Sequence, residues 1–125
     1  MINSVSIKVI KHSEQRYNTL GDWEIKDTNL LISVSDTGNW VYNMAIGLHE
    51  LVEALLCHYR GIEQSVVDSF DIEYEKNRSI GDIKEPGDKP TAPYHVEHRL
   101  ATSAERMFIA SVGNWREYED TCNSI

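Results

Sequence analysis

The stretch Gly47–Gly61, GLHELVEALLCHYRG, sets one histidine and two glutamates inside an oily run. Its apolar residues (Leu48, Leu51, Val52, Leu55, Leu56) nearly surround His49, Glu50 and Glu53, where a surface helix would keep charges on the side away from the core. Burying ionisable groups is costly unless they find partners, so their place in this run calls for an explanation.

The surrounding pattern predicts what that fold is. Val5–Ile10 (VSIKVI) alternates with a period of two, Trp23 and Ile25 repeat the alternation, and Asn29–Asp36 (NLLISVSD) is rich in β-branched and aliphatic residues. Asp27-Thr28-Asn29 carries hairpin-turn chemistry between the last two segments, so the amino-terminal third reads as a small antiparallel sheet. Asn39 is an N-cap candidate for a first helix over Trp40–Tyr59, with Val41, Met44, Ala45, Leu48, Val52 and Leu55 at helical spacing and Gly61 as its stop. A second helix is predicted over about Glu63–Tyr74, with Val66, Val67, Phe70 and Tyr74 inward, and a third over about Tyr94–Val112. Asn114–Glu117 has capping-box spacing for a short last helix. Lys76–Pro93 holds all three prolines and two glycines and reads as a loop, long enough for a lid over a site. The expected class is α+β: one domain over residues 1–125, a small N-terminal antiparallel sheet followed by about three main helices forming a bundle.

Net charge decides which partners to expect. At −8, the global field repels nucleic-acid polymers and anionic membrane surfaces, while a small phosphate needs only a few local cations or a metal. No apolar run reaches the ~20 residues of a bilayer span, and no signal peptide opens the chain. Cys57 and Cys122 are read as free thiols in a reducing compartment, so a cytoplasmic location is expected. A homo-oligomer is left open.

The chemistry concentrates on three helices. His49 and Glu53, four residues apart, share a face, and Glu50 lies about 100° round. The pattern H-E-x-x-E differs in one position from H-E-x-x-H, in which the i and i+4 residues bind zinc and the adjacent glutamate is the general base. A carboxylate at the last position is an acceptable ligand and shifts the site toward harder ions, so the expected cofactor is a divalent Mg, Mn or Zn ion. The third helix adds His95 and His98 three apart, with Glu105 seven beyond; the second adds Asp68 and Asp71. Inward carboxylates and imidazoles on successive helices are how bundles hold metal. Against this stands a plainer account: a core histidine bonded to Glu53, surface pairs Glu97–Arg99 and Glu105–Arg106, and solvated aspartates. Cys57 with His58 fails as a nucleophile pair, since helix neighbours point about 100° apart.

LHELVEALLCHYRGI, VVDSFD and EPGDKPTAPYHVEH followed by ATSAER resemble a group of small phage and prophage proteins, over most of the chain after Gly21. The resemblance implies a mobile-element origin, hence a host cytoplasm, and favours nucleotide substrates by association. HELVEAL is also similar to the active helix of H-E-x-x-H zinc peptidases, which would make His49 a ligand and Glu50 the base. The expected function is a metal-dependent hydrolase of a small phosphorylated substrate, a nucleotide or signalling nucleotide. In it His49, Glu53 and one or more of Asp68, His95 and His98 hold the ion, Glu50 or Asp71 activates water, and Lys89, Arg99 and Arg106 reach the phosphate. The alternative is a non-enzymatic protein that sequesters a small nucleotide signal or inhibits a host defence protein.

Overall fold

The computed structural model describes residues 1–125 as a three-stranded sheet followed by four helices. Strand β1 (Ser4–Ile10) and strand β2 (Gly21–Lys26) flank the central strand β3 (Asn29–Ser35). The β2–β3 hairpin is antiparallel and pairs Lys26 with Asn29, with Asp27 at positive φ in the turn. β1, however, runs parallel to β3, with Val5 opposite Leu30 and Val9 opposite Val34, so the sheet is mixed rather than antiparallel throughout. The reason is order: β1 and β2 run in opposite directions, but the hairpin folds β3 into the space between them. Successive strands usually pair directly, and here the first two do not.

β3 is the spine of the core. Leu30, Ile32 and Val34 project from one face and are fully buried, as period-two alternation requires. Helix α1 (Trp40–Tyr59) lies against that face, its first turn capped by the Asn39 side chain, which accepts from Val41 N (2.9 Å) and Tyr42 N (3.3 Å). Helix α2 (Gln64–Lys76) brings Val67 inward and leaves Val66 exposed. Helix α3 (His95–Val112) packs along α1, and helix α4 (Trp115–Asn123), capped by Asn114, closes the end of the bundle through Tyr118.

The face that α1 buries is the notable departure from its hydrophobic pattern. Asn43, His49, Glu50 and Glu53 are inside with Ala45, Ile46, Ala54 and Cys57, while Leu48 and Val52 are half-buried and Leu55 is 42% exposed. The helix turns its charges in and part of its leucine stripe out. Charge burial on that scale persists only where partners compensate it. The Lys76–Pro93 connection also carries some order of its own, a single 3-10 turn at Pro86–Asp88 that packs against α3.

Candidate metal centre

Helical spacing puts His49 and Glu53 on one face of α1, and α3 sets His98 opposite them. Three donor atoms meet there. His49 Nε2 lies 3.2 Å from His98 Nδ1 and 3.3 Å from Glu53 Oε2, and His98 Nδ1 lies 2.9 Å from the same oxygen. All three residues are buried, and they form a group that could hold a metal ion. With bonds of ~2.0–2.1 Å, neighbouring ligands of a tetrahedral ion stand about 3.3 Å apart and those of an octahedral ion about 2.9 Å. The observed triangle spans that range.

What the outer atoms of the three side chains do matters more than the triangle itself. His49 Nδ1 is 2.8 Å from Glu105 Oε1, and the other Glu105 oxygen accepts from the Tyr118 hydroxyl. His98 Nε2 is 3.0 Å from both Glu85 Oε2 and Asp88 Oδ1. Glu53 Oε1 accepts from the Trp23 indole at 3.1 Å. A carboxylate on the far nitrogen of a ligating histidine draws the ring proton to that side and aims the inner lone pair at the metal. Both imidazoles have that arrangement. Neutral rings so oriented turn two nitrogen lone pairs and a carboxylate oxygen toward one point, which is repulsive until a cation enters.

The acid–base behaviour of the cluster follows. Burial alone would lower the proton affinity of His49, but its hydrogen bonds to Glu105 and Glu53 outweigh burial and raise its pKa well above the usual histidine value. His98 is raised in the same way, against burial, by Asp88, Glu53 and Glu85. Burial also works against the Glu53 carboxylate, yet the bonds from His49 and His98 hold it at about 2. Without a metal the centre captures protons; a divalent ion competes for the same atoms.

Glu50 stands apart. Its Oε2 is 3.8 Å from His49 Nε2, and burial, then the neighbouring Glu53 charge, raises its pKa well above the ordinary carboxyl value. Gly21, at the start of β2, makes room for it: a Cβ there would lie 2.6 Å from Glu50 Cγ. Gly87 does the same for His98, where a Cβ would lie 2.4 Å from the ring Cγ, so the Pro86–Asp88 turn sits directly on the imidazole.

The group opens on a cavity of about 530 Å³ whose wall also includes Asp71, Tyr94, Tyr17, Thr102, Lys84 and Arg106. Asp71 accepts from the Tyr94 hydroxyl and from Tyr17 at 3.0 Å; burial, against those bonds, pushes its carboxyl up to about 7. Thr102 Oγ1, one turn beyond His98, is buried with no protein partner.

Of the residues expected at the site, His49, Glu53 and His98 come together, with Glu50 beside them and Asp71 on the same cavity wall. His95 does not join: three residues before His98, it is turned to the loop, with Nδ1 2.8 Å from Gly87 O. Asp68 is held outside by Arg16, at 3.2 Å, because its position on α2 faces the β2 edge. Lys89 lines a separate cavity beside α2, and Arg99 lies exposed on α3 outside both cavities. Arg106 reaches the cavity rim stacked 4.4 Å over Trp115. Neither surface pair forms: Glu97 binds Arg60 and Glu105 binds His49. Glu85, Asp88 and Tyr118, and Trp23 from its strand, join the site without being expected there; Glu85 and Asp88 carry one signal, the three-residue spacing that makes them a reciprocal capping box on the loop.

No helix is long and apolar enough to cross a membrane. Compared with known proteins, the chain matches no protein-family model, no curated protein and no solved structure.

Proposed function

We propose that the protein is a metal-dependent hydrolase whose ion is held by His49, Glu53 and His98, with Glu50 as general base. The observation that carries this reading is the outer support of all three donors, by Glu105, by Glu85 with Asp88, and by Trp23, which leaves their inner atoms aimed at one point. When bound, such an ion would supply a water whose pKa is lowered toward ~7. Glu50, whose carboxyl already binds protons more tightly than usual, would be the group that accepts the proton from that water.

The substrate we propose is a small phosphorylated molecule such as a nucleotide. The ion would neutralise part of its charge, with Lys84, Arg78 and Arg106 on the cavity wall adding positive groups. A specific observation favours a second substrate class, an amide. Glu53 stands where zinc peptidases of the H-E-x-x-H type have histidine, but His98 supplies the second imidazole from α3, restoring the set of two histidines and one glutamate.

The test is turnover of a panel of nucleoside mono-, di- and cyclic phosphates and a fluorogenic peptide by the Zn(II)- and Mn(II)-loaded protein. Glu50→Gln should keep metal and ligand binding while losing about 100-fold or more in rate, since an amide cannot accept the proton. Recovery of every bound nucleotide intact from equimolar wild-type protein would overturn catalysis in favour of sequestration.

A further inference from the structure

His98 has two ring nitrogens, and only one of them belongs to the centre just described. We infer that the other, Nε2, forms a second cation site with Glu85 and Asp88, so that His98 bridges two divalent metal ions. The inference rests on the His49–Glu53–His98 reading and extends it.

The geometry is that of ligands around a point. Nε2 of His98 is 3.0 Å from Glu85 Oε2 and 3.0 Å from Asp88 Oδ1, and the three donor atoms lie within 4.8 Å of one another. His98 itself is 4% exposed, and Nε2 meets no protein partner but these two carboxylates. One ring nitrogen carries at most one proton, and one N–H compensates one carboxylate well, not two. The second carboxylate is left to solvent and to the backbone N–H groups of its own turn. Lys84 and Lys89 flank the pair in sequence, yet neither they nor any arginine forms an ion pair with Glu85 or Asp88.

The carboxylates are also fixed before any ion arrives. Asp88 Oδ2 accepts from Glu85 N at 3.1 Å, and the Glu85 side chain caps the Asp88 end of the same turn. Gly87 lets this turn rest on the imidazole. Oxygen donors from the turn and a nitrogen from α3 give a mixed set suited to Zn(II) or Mn(II). Loading is a balanced exchange: the incoming M(II) forms a bond to Nε2, the Nε2–H bond breaks, and that proton leaves to solvent. His98 is then an imidazolate with one ion on each nitrogen. With bonds of ~2 Å the ions stand about 6 Å apart across the ring. Glu85, Asp88 and His98 all line the cavity, so a second ion held by them would face it.

The test is metal stoichiometry of tag-free protein, dialysed against Zn(II) and measured by elemental analysis. The same measurement is made on the double variant Glu85→Gln with Asp88→Asn. Both residues are substantially exposed and both amides keep capping groups, so the variant should fold, which circular dichroism checks. The expected result is two zinc ions per chain in the wild type and one in the variant, held more weakly because its amides orient His98 less firmly than the carboxylates do. With Cu(II) as probe, coupling across the bridge should make the wild-type EPR intensity per copper fall below that of the variant. One zinc in the wild type would overturn the second site and leave the first standing; none would overturn both. Two in both proteins would place the second ion elsewhere and overturn the bridge.

Discussion

Replacing Glu53 by glutamine removes one charge from the centre while keeping shape and the bond from Trp23, so it isolates what that charge contributes. In the folded protein the carboxyl is lowered from 4.5 to about 2, burial being outweighed by the bonds from His49 and His98. At ~1.4 kcal/mol per pH unit this difference of about 2.5 amounts to roughly 3 kcal/mol of folding stability at pH 7. The sign follows from the depressed folded value: the contribution is complete above pH 4.5 and is lost as pH falls toward 2. At pH 3 about 1 kcal/mol of it should remain. Urea unfolding of wild type and Glu53→Gln in the presence of EDTA, followed by circular dichroism at pH 7 and pH 3, measures both numbers without metal. A pH 7 difference below about 1 kcal/mol, or one that does not shrink at pH 3, would refute the assignment of Glu53 as the shared anion of His49 and His98.

Two further substitutions probe the supports. Gly87→Ala places a Cβ 2.4 Å from His98 Cγ; the turn must lift, costing ~1–3 kcal/mol, and Zn(II) affinity by calorimetry should fall about 10–100-fold. Unchanged affinity would mean the turn does not orient His98. Asp71→Asn tests the second buried acid on the cavity: its carboxyl is raised from 3.8 to about 7 by burial. Wild type should therefore lose up to about 4 kcal/mol between pH 4 and pH 8 that the variant keeps. Parallel urea midpoints for the two proteins across that range would contradict it.

The elements themselves were legible because their signals are local. Asn39 and Asn114 are caps whose side chains need only the next three residues, and Leu30, Ile32 and Val34 alternate visibly. The direction of β1 was not, because it depends on β3 folding between two earlier strands, which no local signal encodes. The buried face of α1 departs from its apolar stripe for an energetic reason. The apolar stripe through Leu48, Val52 and Leu55 is the one hydrophobicity would bury, yet His49, Glu50 and Glu53 are inside because Glu105, His98 and Trp23 lie across from them, on other elements. His98 and His95 were indistinguishable by spacing; the choice was made by where α3 begins and by the loop carbonyl of Gly87. Tyr118 and the Glu85–Asp88 pair join the site only through tertiary contact: Tyr118 lies 13 residues beyond Glu105, and Asp88 lies 10 before His98.

The central claim is that one ion sits among His49, Glu53 and His98, and diffraction from crystals grown with Zn(II), recorded on both sides of the zinc absorption edge, tests it most directly. The account predicts an anomalous peak ~2.0–2.2 Å from His49 Nε2, His98 Nδ1 and a Glu53 oxygen, with Glu105 still on His49 Nδ1. Zinc found only on exposed side chains, with His49, Glu53 and His98 still hydrogen-bonded to one another around an empty centre, would contradict it.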